Sequence, residues 1–176
     1  LSDESNGKSI VFVLNVYETR VLFTGDADNQ SSHANMENNY MDQVKDIDIL
    51  KVVHHGTSQG TSMEFLNSVD PEIAIICNGN YLGNKHGHPH PDAINNLINY
   101  DSDMLIYAIT GGGLNCEETS SGAFKGSTSL EESLIDRNGT IVLVIDNNTY
   151  SISSRLMGDD MIDIRETTYW KDYLNR

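Results

Sequence analysis

The side chains best suited to binding metal or moving protons fall in three short runs. Asp26 lies in "VLFTGDAD" (Val21 to Asp28), His54 and His55 in "DILKVVHHGTS" (Asp48 to Ser58), and His86, His88 and His90 alternate in His86-Gly87-His88-Pro89-His90. Gly25 lets the backbone turn sharply, so that the Asp26 carboxylate can project from a strand end. An ordinary turn aspartate has the same appearance, however, and Asp28 nearby adds little. Paired histidines directly after an apolar strand put imidazoles at a sheet edge, where one can titrate near neutrality. Taken alone, that pair reads equally well as structure or as function. The histidine run fits a metal chelate and a solvated loop alike, and its spacing does not decide between them.

These runs are positioned by strands that alternate with helices. Ile10 to Val16 and Val21 to Thr24, separated by Tyr17 to Arg20, read as a hairpin. Met36, Tyr40, Met41 and Val44 recur at helical spacing, which predicts an amphipathic helix over Ser31 to Asp46, followed by a strand at Ile49 to Val53. Thr61 with Glu64 forms a capping box before Phe65 and Leu66, and Asp70-Pro71 closes that short helix. Ile73 to Cys77 is a buried strand. Pro91 suits a first helical turn, Ile94, Leu97 and Ile98 give that helix an apolar face, and Met104 to Ile109 returns as a strand. In open sheets with helical crossovers, ligands bind beyond the carboxyl ends of strands, so the three runs can meet although they are distant in sequence.

The stretch Gly111 to Arg137 is rich in Gly, Ser, Thr and Glu and lacks periodicity. It reads as a flexible insertion with a brief helix around Leu130 to Ile135. Thr140 to Ile145 and Thr149 to Ser153 flank Asp146, Asn147 and Asn148 as a second hairpin. Beyond it, Met157, Ile162, Ile164 and Trp170 mark a docking segment. Eleven basic against 26 acidic residues give a net charge of −15, a field that repels phosphate backbones unless metal ions or a basic patch intervene. Two cysteines are too few for a disulfide scaffold. No run approaches the ~18–20 apolar residues of a membrane span. A soluble domain making no direct membrane contact is expected, with its compartment, cytoplasmic or extracytoplasmic, left open.

In combination and in this order, "VLFTGDAD", "DILKVVHHGTS" and "GHPHPDAINNL" (Gly87 to Leu97) resemble the second half of metallo-β-lactamase-fold hydrolases. The branch most similar includes the hydrolase domain of bacterial competence DNA-uptake channel proteins and its stand-alone relatives. The resemblance runs from about Ser9 to Ile109 and resumes weakly at Asn138 to Ile152. It implies an α+β fold, the C-terminal half of an αββα sandwich with a mixed sheet covered by helices, over residues 1–153, with the insertion at 111–137 and an extension at 154–176. By that resemblance Asp26 matches the carboxylate that bridges two metals and His88 the last histidine ligand of one of them. His54, or else His55, matches the histidine that protonates the leaving alkoxide in phosphodiesterase members.

The His-x-His-x-Asp-His signature, which supplies most metal ligands in the family, is absent, and His86 to His90 does not replace it. Even an open catalytic zinc site uses three protein ligands. The expectation is a fragment of a two-metal hydrolase that acts on phosphodiester bonds by attack of a metal-bound hydroxide and is inactive without its N-terminal half. Its two divalent ions, zinc or manganese, would be held in the complete protein, with little or none held here. An uncovered apolar face would favour self-association. The alternative is a non-catalytic interaction module that retains the half-fold. A nuclease is a third reading, against which the net charge weighs.

Overall fold

A computed structural model describes residues 6–30, 35–78, 88–109, 116–118, 124–126, 138–167 and 170–171. Five strands form one mixed sheet in sequential order: β1 (Phe12–Val16), β2 (Thr19–Phe23), β3 (Ile49–Lys51), β4 (Ile73–Ile76) and β5 (Leu105–Ala108). The first pair is antiparallel and the remaining three are parallel. Helices α1 (Met36–Tyr40), α2 (Met63–Val69) and α3 (Pro91–Tyr100) lie in the three crossovers. Parallel strands in sequential order with crossovers of one hand put every crossover on the same face. Strand alternation then sorts the side chains. Leu22, Leu50, Ala74 and Ile106 stand in one cross-strand row and are 0% exposed, packed in one core with Phe65, Leu66, Ile94 and Leu97 of the helices.

The other face is also apolar but incompletely covered. Register places Phe12 and Leu14 with Val21, Phe23, Ile49, Ile73, Ile75 and Leu105 on this side. Phe12 stacks on Phe23 with ring centroids 4.8 Å apart, yet Phe12, Leu14 and Leu105 remain 49%, 42% and 43% exposed. The hairpin of β8 (Ile141–Asp146) and β9 (Thr149–Ser154) contributes Ile141 and Leu143 to a cavity of about 350 Å³ against Val21, Phe23, Ile75 and Cys77.

Several element boundaries differ from the sequence expectation. The helix expected over Ser31 to Asp46 is five residues, Met36–Tyr40, followed by a 3-10 turn at Met41–Gln43; residues 31–34 lie outside the described set. Asn35, Asn38 and Asn39 are weak helix formers, and the tighter turn still buries Tyr40, Met41 and Val44 at 9%, 7% and 8%. Helix α2 is capped by Ser62, whose Oγ accepts from Phe65 N at 3.1 Å, and not by the expected Thr61 and Glu64. Thr61 takes a left-handed conformation (φ 57°) that turns the chain one residue later than expected. Each hairpin closes through two residues, Tyr17-Glu18 and Asn147-Asn148, where the sequence indicated four and three. Tyr17 and Asn147 supply the positive φ that tight hairpins need. Within 111–137, β6 (Cys116–Glu118) and β7 (Phe124–Gly126) pair antiparallel. The helix expected at Leu130 to Ile135 lies outside the described residues.

The chain beyond β9 returns to the core, with Ile164 at 0% and Trp170 at 4% exposure. Asp163 forms a bridge with Tyr107 and accepts from Ile106 N at 2.9 Å, so the open edge of β5 is covered. Buried Asn138 fixes this return. Its Nδ2 donates to Ala108 O (3.0 Å) and Ile162 O (2.8 Å), and its Oδ1 accepts from Ile162 N (2.8 Å). Asn138→Ala leaves those backbone groups unpaired and is expected to cost about 1–3 kcal/mol, read as a lower urea midpoint at unchanged m-value. An unchanged midpoint would show that the return does not depend on this side chain.

Candidate functional site

Strand β3 ends two residues earlier than expected because the chain enters a 3-10 turn at Val53–His55. There His54 (φ 43°), His55 (φ 57°) and Gly56 (φ 83°) are consecutively left-handed. Non-glycine residues in that region cost of order 1–3 kcal/mol each and persist only when surrounding contacts impose them. The contacts here are backbone hydrogen bonds: His54 N to Gly25 O (3.1 Å), Gly56 N to Val53 O (2.9 Å) and Thr57 N to His54 O (3.0 Å). The Gly25 carbonyl also accepts from Lys51 Nζ at 2.8 Å. Burial pushes the Lys51 amine below its ordinary value, with nearby Asp26 acting in the opposite direction.

Gly56 brings in the third run. A Cβ on Gly56 would stand 2.8 Å from Pro89 Cβ, and Gly56 O accepts from His90 N at 2.6 Å. This close approach of two backbones places His88, joined to Pro89 by a cis peptide, over the histidine pair. Ring centroids are 5.4 Å apart for His54 and His88, 6.5 Å for His55 and His88, and 5.9 Å for His54 and His55. Asp26 Oδ1 lies 3.3 Å from His55 Nε2. Asp26, His54, His55 and His88 therefore meet beyond the carboxyl ends of β2, β3 and β4. His86 lies outside the described residues. His90 has a structural task, its side chain accepting from Asp92 N at the start of α3.

Asp28, which carried little weight in the sequence, is the residue that distinguishes the two histidines. It is 1% exposed, and its Oδ2 lies 2.7 Å from His54 Nδ1. An ionised carboxylate only accepts, so Nδ1 carries the proton and Nε2, which stands 3.5 Å from Asn6 Nδ2, is the acceptor of the neutral ring. The one signal in the sequence was the spacing of two residues from Asp26. His55 is oriented differently, with Nδ1 donating to the Cys77 carbonyl. Its Nε2 therefore meets the Asp26 carboxylate either as a protonated imidazolium or with a lone pair directed at the same space.

Carboxylate and imidazole lone pairs converging in this way match the donor chemistry of zinc and manganese. The number of donors does not match: among the described residues, no group of three or more His, Cys, Asp or Glu could hold a metal ion. A metal site is therefore not complete within them. Also among these residues, no helix is long and apolar enough to cross a membrane.

No family model matches the chain. It is similar to Recombination protein 2 of Haemophilus influenzae, with 33% identity over 106 residues, covering 60% of this chain and 13% of that protein. ComE operon protein 3 of Bacillus subtilis is 32% identical over 100 residues, 57% of this chain and 12% of that protein. Competence protein ComA of Neisseria gonorrhoeae is 30% identical over 114 residues, 63% of this chain and 15% of that protein. The chain thus spans only 12% to 15% of the length of these curated relatives.

Two outcomes follow from this geometry. Gly56→Ala combines a left-handed φ with contact against Pro89, and should destabilise by about 2–4 kcal/mol while weakening the NOEs between the His54 and His88 rings. Retained NOEs and unchanged stability would contradict the close-approach argument. Buried Glu37 gives the second outcome. Loss of hydration, with a smaller contribution from Asp28, pushes its carboxyl up to about 7 against opposing hydrogen bonds from Ser62 and Thr61. Because the folded-state value is raised, its stabilising contribution is complete below the ordinary value of 4.5 and is lost as pH rises through about 7. Urea unfolding should show stability falling by about 1–3 kcal/mol from this group over that window, and Glu37→Gln should abolish that component of the slope.

Proposed function

We propose that the chain is the C-terminal half of a metallo-β-lactamase-fold hydrolase acting on phosphodiester bonds, with His54 as the proton donor to the leaving oxygen. The observation that carries this reading is the Asp28–His54 pair set beside Asp26, His55 and His88 at the carboxyl ends of three parallel strands. The buried carboxylate fixes Nδ1–H, so Nε2 is a lone-pair base in the neutral ring and, in the imidazolium that the carboxylate would support, carries the proton to be given to the leaving oxygen. His55, bound to a backbone carbonyl and placed against Asp26, is the weaker choice for that role.

Asp26 and His88 are the residues of this chain that would help hold the metal ions, with the remaining ligands supplied by an N-terminal half outside this sequence. When bound, two divalent cations would supply a nucleophilic hydroxide and offset phosphate charge. They would also make a net charge of −15 compatible with an anionic substrate. The names of two relatives point towards competence and recombination, and a role connected with DNA uptake is the setting we assign. The half-exposed sheet face bearing Phe12, Leu14 and Leu105 supports coverage by the other half of the sandwich, or self-association in its absence.

The test is hydrolysis of a nitrophenyl phosphodiester by the protein carrying both halves. His54→Ala should lower kcat/KM by about 10²–10⁴-fold for poor leaving groups and less for good ones, with His55→Ala the milder change. Asp26→Asn should remove most of the rate. Equal losses for both leaving groups in His54→Ala would reject its role as acid. Absence of turnover by the metal-loaded two-half protein would favour the alternative, a non-catalytic interaction module.

A further inference from the structure

Glu37 is 0% exposed, and the chemistry proposed above makes no use of it. Its carboxylate oxygens accept from Ser62 N at 3.2 Å and Asn29 Nδ2 at 2.9 Å, with further hydrogen bonds from the Thr61 N–H and the Ser62 side chain. Its own N–H donates to Asp28 O at 3.4 Å. Asn29 is oriented by Asn38, donating to its Oδ1 (2.9 Å) and accepting from its N–H (3.1 Å), while Asn29 N donates to Gln59 O (2.9 Å). The Ser62 and Thr61 N–H groups cannot be reversed, and a flip of the Asn29 amide would break both bonds to Asn38. The position therefore calls for a side chain with two acceptors.

We propose that Glu37 is a positioning residue for His54: its carboxylate clamps residues 28–30 against residues 59–62 and so seats Asp28 on His54 Nδ1, fixing the tautomer that presents Nε2. The ionised form accepts from all of these donors at once. Holding that charge in the core is costly. The groups facing Glu37 are Asp28 from the loop after β2, Tyr40 from its own helix, and Ser62 and Thr61 from the entry to α2, none of them a cation. Loss of hydration accordingly raises the carboxyl to about 7.

The inference rests on the reading of His54 as proton donor only for its consequence, and its test needs no turnover. Long-range 1H–15N correlation spectra at about pH 8, where imidazoles are predominantly neutral, report the tautomer of each histidine. Wild type should show Nδ1–H for both His54 and His55. In Glu37→Gln, His54 should lose its Nδ1–H preference while His55, held by the Cys77 carbonyl, keeps it. Asn29→Ala breaks the same clamp from its exposed side and should give the same signature, which keeps the test decisive if Glu37→Gln does not fold. Retention of the His54 tautomer in either folded variant, or an equal change at His55, overturns the proposal. Absence of hydrolysis by the wild-type protein carrying both halves, with the tautomer pattern as expected, would instead count against the functional reading and leave the clamp standing.

Discussion

Everything at the candidate site depends on the backbone bond from His54 N to Gly25 O and the three left-handed residues that begin there. A strand continuing straight past Lys51 would point its side chains alternately up and down, sending His54 and His55 to opposite faces of the sheet. The turn at Val53–His55 brings both imidazoles to the strand end. The same Gly25 whose carbonyl closes that turn precedes Asp26, so the carboxylate and the histidines share one hinge. Gly56 then fixes the distance to the loop carrying His88, since any side chain there would displace Pro89. Local strain of a few kcal/mol is tolerated because β2, β3 and β4 beneath it are anchored in a core whose central residues are fully buried.

The sequence discloses this arrangement unevenly, for physical reasons. Strand and helix identity follows from long-range burial that repeats with the strand or helix period, which is why β4, α3 and the second hairpin fall close to their expected places. Boundaries set by single backbone conformations are harder to read. Nothing in "HHGTS" announces that two histidines adopt positive φ, and nothing in "TSMEF" announces that the cap moves from Thr61 to Ser62. The convergence of Asp26, His54, His55 and His88 follows from topology, because parallel strands bring their carboxyl ends together. The partner of His54 does not. Asp28 acquires its importance from burial and a 2.7 Å contact across 26 positions, which no local pattern encodes.

The two faces of the sheet impose different constraints on the rest of the molecule. Helices seal one face to near-zero exposure, whereas the other is closed only in part by β8 and β9, leaving Phe12 and Leu14 on the edge strand accessible. Lys51 belongs to this second face by register, and its amine reaches the Gly25 carbonyl at the rim of the site. The incompletely covered face and the loop that carries Asp26 are therefore joined through one side chain.

Buried charge is placed with corresponding economy. In a chain with 26 acidic residues, most carboxylates can remain in water, where they contribute little to stability. Asp28 and Glu37 are the exceptions next to the site, and each bears a cost that apolar packing would avoid. What the two gain is geometry. Asp28 selects one tautomer of His54, and Glu37 accepts from the two donors that keep the loop of Asp28 in register with the entry to α2. Asp28 is itself held through its Oδ1, which accepts from Gln30 N at 3.1 Å, and Glu37, bonded to a backbone N–H and to an amide already fixed by Asn38, ties this loop to the entry to α2. The cost of burying the pair is thus set against a defined hydrogen-bonded seat for one imidazole.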